Sequence, residues 1–230
     1  MKIQTFQLIE GAKEAIGLTV IIDVFRAFSL ECYLFARGAE KIYPVGKTET
    51  AFALQKKDRE LLLIGERNEK IIPGFDYGNS PAQILNLDFT GKKLVHTTSA
   101  GTQGIVNAIN ATELITGSFV NAHAIARYIK MKNPAFVSLV CMGYSADNET
   151  EEDTLCAAYI EDLLQNREPN FERMKSVIRK TSGKRFFLNK KQKHAPKEDF
   201  DLCLQPGKFN FILRAEKEEN DVFSIEKIDC

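Results

Sequence analysis

Five short stretches of this 230-residue chain bring carboxylates, guanidinium groups and hydroxyls together at close spacing. They are Asp23, Arg26 and Ser29 in "DVFRAFS"; Glu66, Arg67, Asp76, Asn79 and Ser80 in "GERNEKIIPGFDYGNSP"; Thr97, Thr98, Ser99, Gly101 and Thr102 in "TTSAGT"; Ser118 and Asn121 in "GSFVNA"; and Gly143, Tyr144 and Ser145 with the acidic run that ends at Asp153. Carboxylates without a histidine or cysteine cluster suit a hard cation with oxygen ligands, Mg2+ above all. Arginine presents a planar fork to phosphate or sulfonate. Hydroxyls and free N–H groups at helix starts favour anions. The chemistry these groups could perform is metal-assisted attack of water on a small anionic ester. Motifs for other routes are missing. Phe25 stands where an aspartyl-phosphate motif needs its second aspartate, "CYLFAR" is one residue short of Cys-x5-Arg, and the spacing GxxxxGK[ST] does not occur.

Each feature also has a structural reading. Carboxylates and arginines at strand ends form ion pairs, and "TTSAGT" can serve as a turn and helix cap. The acidic residues 149–153 suit the positive end of a helix dipole. His96, His123 and His194 lack metal-ligand spacing and read as structural residues.

The elements that must position these groups alternate regularly. "LTVIID", "EKIYPVG" and "ELLLIGER" read as buried strands, separated by helices through "LECYLFARGA" and "KTETAFALQKK". The same β-α-β-α-β order returns from Lys92, with corresponding elements roughly 71 to 76 residues further on. Continuous apolar strands between helices predict a mostly parallel or mixed sheet covered on both faces, a three-layer α/β/α sandwich built from two similar βαβαβ units. Ligands of open α/β sheets bind outside the carboxyl ends of the strands, and all five stretches follow predicted strands. Residues 166–200 are basic and irregular, and "KFNFILRAEK" alternates like an edge strand. Without a low-complexity linker, residues 1–230 read as one domain.

The bulk numbers narrow the class. Lys plus Arg and Asp plus Glu both number 31, so the balanced charge gives no footing for nucleic acid or an anionic membrane. The N-terminus lacks a secretory h-region, and apolar runs stay below the roughly 18 residues of a membrane span. Five cysteines without CxxC spacing suit reduced thiols in a cytoplasmic protein.

From about Val20 to Ala158 the motifs "DVFRAFS", "GAEKIYPV", "GERNEKIIPGFDYGNSP", "TTSAGT", "GSFVNA" and "EEDTLCAA" occur in the order that resembles the 2-phosphosulfolactate phosphatases, the ComB-like phosphatases. "GFDYGNSP" preceded by "GER" is the most specific of them. The resemblance implies an α/β/α fold and Mg2+-dependent hydrolysis of 2-phospho-3-sulfolactate to 3-sulfolactate and phosphate, on the route to coenzyme M. It implies catalytic roles for Asp23, Arg26, Glu66 and Arg67, and metal ligands among Asp23, Glu66, Asp76 and Asp153. Substrate contacts are expected from Ser29, Asn79, Ser80, Thr97, Thr98, Gly101, Thr102, Ser118 and Asn121. Which carboxylate acts as general base stays open. The expected partner is a small anionic phosphoester, with the chain acting as a monomer or a homo-oligomer. A phosphatase for another small phosphorylated hydroxy acid and a non-catalytic anion-binding module remain the alternatives.

Overall fold

The computed structural model describes residues 1–188, 194–218 and 222–230. Its elements, in chain order, are β1 (Lys2–Gln7), α1 (Leu8–Glu14), β2 (Gly17–Ile22), α2 (Ala27–Ala36), β3 (Lys41–Pro44), α3 (Thr48–Lys57), β4 (Leu62–Arg67), β5 (Lys70–Ile71), α4 (Pro81–Ile84), β6 (Lys93–Thr97), α5 (Gly101–Asn107), β7 (Ala111–Gly117), α6 (Ala122–Lys132), β8 (Phe136–Cys141), α7 (Glu151–Leu164), α8 (Phe171–Lys180), α9 (Arg185–Leu188), α10 (Glu198–Cys203), β9 (Phe211–Lys217) and β10 (Phe223–Asp229). The ten strands form one mixed sheet in the order β1-β8-β2-β7-β9-β10-β3-β6-β4-β5.

Alternation of side chains along each strand divides the core into two layers. Ile21 of β2, Ile64 of β4, Leu94 of β6 and Val140 of β8 pack under α2 and α5 with Phe28, Leu34 and Ile105. Leu18, Val20 and Ile22 of β2, with Val137 and Leu139 of β8, face the other way against Ile125 and Ile129 of α6 and Ile160 of α7. Leu63 and Val95 meet Ala51 of α3 on that second side. Helices therefore cover both faces, as the continuous apolar strands predict. Among the described residues no helix is long and apolar enough to cross a membrane. Cys32, Cys141, Cys156 and Cys203 are buried free thiols, and Cys230 is an exposed one.

Both βαβαβ runs are present in chain order, but they interlock rather than sit side by side. β2 of the first run pairs with β7 and β8 of the second, and β6 of the second pairs with β3 and β4 of the first. Within each trio the pairing is parallel. The C-terminal hairpin joins the trios, with β9 antiparallel to β7 and β10 antiparallel to both β9 and β3. Three reversals separate β7 from β3, so the two trios run in opposite directions. Strands that are apolar on both faces carry no mark of which neighbour they take, which is why the pattern identified the elements and not the exchange. The expected edge strand "KFNFILRAEK" is corrected by the same pairing. It lies at the centre of the sheet as β9, with Phe211, Ile212, Leu213 and Ala215 buried. β1 is a true edge, parallel to β8. The carboxyl ends of strands from both oppositely directed trios nevertheless meet at one cleft, lined by residues that follow β2 and β8 of one trio and β4 and β6 of the other.

Candidate active site

The cleft forms where the loops after β2, β4, β6 and β8 meet. Asp23 follows β2 and is buried at its floor, where its Oδ1 accepts the N–H of Ala27 at 3.1 Å. Asp153 lies directly behind. Its Oδ1 accepts the N–H of Val24 and its Oδ2 that of Gly143, both at 2.8 Å, so it pins the β2 loop to the β8 loop. Asp153 can stand there because α7 opens on Glu151, Glu152 and Asp153, where the helix dipole favours acidic side chains.

The opposite wall comes from the other trio. Glu66, the last residue but one of β4, is buried, with Oε1 accepting the N–H of Ser99 at 2.7 Å and Oε2 that of Glu69 at 2.8 Å. Thr98 and Thr102 exchange backbone-to-hydroxyl bonds at the start of α5, Thr98 N–H to Thr102 Oγ1 at 2.9 Å and Thr102 N–H to Thr98 Oγ1 at 3.2 Å. Gly101 closes the seam between the trios. A Cβ on it would lie 2.8 Å from both Asp23 Oδ2 and the Ala27 side chain, so only glycine lets α5 approach Asp23 this closely.

Arg26 and Arg185 bring the positive charge. Arg26 is buried, and its Nη1 donates to Asp199 Oδ2 at 2.7 Å and to the His194 carbonyl at 2.6 Å. Asp199, on α10, also accepts the Ser80 hydroxyl and the Ala82 N–H, both at 2.9 Å on Oδ1. One carboxylate thus holds both the guanidinium and the "GNSP" corner, from which Asn79 reaches the cleft. Arg185 comes from the basic segment 166–200, of which residues 189–193 lie outside the described part. Its Nε lies 3.1 Å from Glu69 Oε1 and its Nη2 3.9 Å from Glu152 Oε1, and it packs over the rings of Phe25 and Tyr144.

Carboxyl groups outnumber guanidinium groups. Asp23, Glu66 and Glu69 line the cleft with Arg26 and Arg185, and Glu152, Asp153 and Asp199 stand behind them. Six carboxylates thus surround two guanidinium groups. Burial raises the Asp23 carboxyl to about 7, with Glu66 and Glu152 adding to the rise against the Ala27 N–H. Burial also raises Asp153 well above the usual carboxylate range, with Glu152 and Asp23 contributing. Glu152 is raised by burial and partly restored by Arg185. Burial raises Asp199 too, opposed first by Arg26.

Asp23, Arg26, Glu66 and Asn79 line the cleft directly, and Ser80 contacts it through Asp199. Gly101 abuts Asp23. Thr97, Thr98 and Thr102 shape the β6–α5 turn. Ser29 and Ser118 share a hydrogen bond at 2.6 Å beneath the loops, and Asn121 Oδ1 caps the Ser118 N–H at 3.0 Å. Among the expected site residues outside the lining, Arg67 and Asp76 are bound to β4 and its neighbours. Arg67 turns its guanidinium to the carbonyls of Glu66 and Gly46, at 2.8 and 3.1 Å, and to Thr97 Oγ1 at 2.8 Å. At the end of β4 its side chain alternates away from that of Glu66, so the two neighbours cannot both face the cleft. Asp76 is exposed and accepts the Leu63 N–H at 2.7 Å, fixing its loop along the edge of β4.

The four expected metal carboxylates therefore do not gather into a cage, and among the described residues no group of three His, Cys, Asp or Glu side chains could enclose an ion. What the cleft offers is Asp23 and Glu66 beside the buried Asn79 Oδ1, which lacks a hydrogen-bond partner among the described residues. Such a donor set fits Mg2+, which takes one or two carboxylates and completes its shell with water and phosphate oxygens. Sequence reasoning missed Glu69, Glu152, Arg185 and Asp199. Glu152 stood beside Asp153 in the acidic run. Asp199 and Arg185 lay in a segment whose charge pattern gave no sign of where it folds back.

Comparison with known proteins identifies the family. A protein of Carboxydothermus hydrogenoformans named "probable 2-phosphosulfolactate phosphatase" is 40% identical over 166 residues, covering 71% of this chain and 68% of its own. A protein of the same name from Bacillus subtilis is 29% identical over 216 residues, 92% of each chain. A third, from Caldicellulosiruptor saccharolyticus, is 36% identical over 177 residues, covering 74% of this chain and 73% of its own. The profile of the 2-phosphosulpholactate phosphatase family matches residues 3–218, so the C-terminal segment that supplies Arg185 and Asp199 lies within the match. The chain belongs to the 2-phosphosulpholactate phosphatase family, a family of phosphoric monoester hydrolases.

Proposed function

We propose that this chain hydrolyses 2-phospho-3-sulfolactate to 3-sulfolactate and phosphate with the help of Mg2+. The observation that carries the reading is the charge imbalance of the cleft. Two arginines face it with three carboxylates, and burial favours a proton on Asp23 that a bound cation would displace, so an anionic phosphoester enters more favourably together with a cation. Asp23, Glu66 and the Asn79 carbonyl oxygen would hold that ion. When bound, a divalent ion supplies positive charge against the phosphoryl oxygens and lowers the pKa of a water molecule.

The protein groups do the rest. Arg26, locked against Asp199, presents a fixed guanidinium to the charge that develops on the phosphoryl oxygens. Glu66 orients the wall by holding the N–H groups of Ser99 and Glu69. One of the two cleft carboxylates, Asp23 or Glu66, accepts a proton from the attacking water. The water oxygen forms the new P–O bond as the bond to the ester oxygen breaks, and that oxygen takes up a proton to become the hydroxyl of sulfolactate.

The test is phosphate release from 2-phosphosulfolactate and a panel of phosphorylated hydroxy acids, before and after EDTA and again with added Mg2+ or Mn2+. Release that stops with EDTA and returns with the metal is expected. Full release after exhaustive EDTA would overturn the metal requirement, and faster release from another ester would reassign the substrate.

A further inference from the structure

We infer that Arg185 is a specificity-determining residue of the cleft and reads an acidic group of the substrate remote from its phosphoryl group. The inference rests on the phosphatase reading above. The two guanidiniums that face the cleft are held in different ways. Arg26 is 3% exposed and gripped by a fully buried carboxylate at 2.7 Å. It sits three residues from Asp23 on the same loop, which fixes it beside the reacting end. Arg185 is 21% exposed and arrives from a distant part of the chain. Its position is set by the rings of Phe25, Tyr144 and Phe186, at 5.6, 5.3 and 5.4 Å, which fix the plane of the fork, and by one hydrogen bond from Nη2 to the Phe25 carbonyl at 3.3 Å.

The anions around Arg185 show where a ligand oxyanion fits. Glu69 Oε1 already lies against its Nε at 3.1 Å, and Glu69 lines the same cleft. Glu152 stands too far for a hydrogen bond at 3.9 Å, and its Oε2 is buried without a partner among the described residues. Beyond the Phe25 carbonyl, Arg185 has one close internal carboxylate, that of the half-buried Glu69, in a position that an acidic group of the ligand could take. A substrate with only a phosphoryl group would leave this guanidinium on Glu69. A substrate with a sulfonate or a second carboxylate would displace that contact, and an analogue lacking the group forfeits the exchange.

The test compares kcat/KM for 2-phosphosulfolactate, 2-phospholactate and ethyl phosphate in the wild type and Arg185→Gln, with Mg2+ present. The variant should lower the ratio of phosphosulfolactate to ethyl phosphate by about 30-fold or more. If the sulfonate is the group read, 2-phospholactate behaves like ethyl phosphate. If the carboxylate is read, it behaves like phosphosulfolactate. Equal losses on all three esters would place Arg185 at the phosphoryl group, and no loss would place it outside recognition; either overturns the inference. Calorimetric binding of 3-sulfolactate supplies a readout that does not need turnover, and Arg185→Gln should weaken it by about 30-fold. A wild type that binds 3-sulfolactate but does not hydrolyse the ester would sink the phosphatase reading alone, whereas a wild type that neither binds nor hydrolyses sinks both. If Arg185→Gln fails to fold, Glu69→Gln decides the matter. It removes the competing carboxylate and should lower KM for phosphosulfolactate about threefold, and an unchanged or higher KM would count against the inference.

Discussion

The segment from the β2–α2 loop through α2 carries two buried carboxylates with opposite fates, Asp23 in the loop and Glu31 in the middle of the helix. Asp23 faces a cleft crowded by other acids, and burial raises it to about 7. Glu31 is sealed in the core with His96, the two side chains fully buried and 2.8 Å apart. Burial raises Glu31 as well, but the His96 hydrogen bond opposes the rise. Its Oε2 and the His96 Nε2 have no partner among the described residues. The difference teaches that burial and a perturbed proton affinity do not make a site. Asp23 combines a surplus of like charge with access for a ligand. The Glu31–His96 pair has a matched partner and no access, and it joins α2 to β6.

The largest expected effect is on the open side of this comparison. Asp23→Asn should lower kcat by about 1,000-fold, equivalent to about 4 kcal/mol of barrier, because the cleft loses a carboxylate that would hold the ion or take the proton of the water. Its effect on folding has the opposite sign. The carboxyl moves from an ordinary 3.8 to about 7 on folding, so the folded state binds the extra proton between those values. Metal-free protein should therefore lose stability as pH rises from about 4 to about 7. In EDTA, Asp23→Asn should flatten that part of the stability profile. Near-wild-type turnover in the variant would remove Asp23 from the chemistry and break the comparison.

On the closed side, the expectation reverses. Glu31→Leu or His96→Leu should cost about 3–5 kcal/mol of stability by leaving the other member buried without its partner. Turnover per folded molecule should stay within about twofold. The double variant should be more stable than either single one, since replacing a whole buried pair is far less costly than breaking it. Thermal melts with activity assays on the soluble fraction check both points. A large fall in kcat without destabilisation would give the pair a functional role.

The smallest effect is expected at Arg67, which sharpens the boundary between the two kinds of residue. Its three contacts tie the end of β4 to the β3 loop and to β6. Arg67→Ala should lower stability by about 1–3 kcal/mol and change turnover less than about tenfold. A hundredfold fall in kcat at unchanged stability would return Arg67 to the substrate.

The sequence by itself determined the elements and half of the cleft. Apolar runs and helical spacing located β2, β3, β4, β6, β7 and β8 with the helices between them, because burial on one or both faces imposes a period that the chain must display. The stretches at strand ends held Asp23, Arg26, Glu66 and Asn79, because α/β sheets expose ligand sites at those ends. Tertiary structure alone decided the exchange of β2 and β6 between the two runs, and with it the opposite directions of the trios. It placed Arg67 outside the cleft, since alternation along a strand sends neighbouring side chains to opposite sides, and Asp76 as well, since its carboxylate is bound to the Leu63 N–H along the edge of β4. It also brought Asp199 under Arg26 and Arg185 over Phe25 from segments with no periodicity to announce them. Patterning records how much of a residue is buried. Which residue it is buried against depends on pairing across long stretches of chain, and short-range periodicity carries no trace of that.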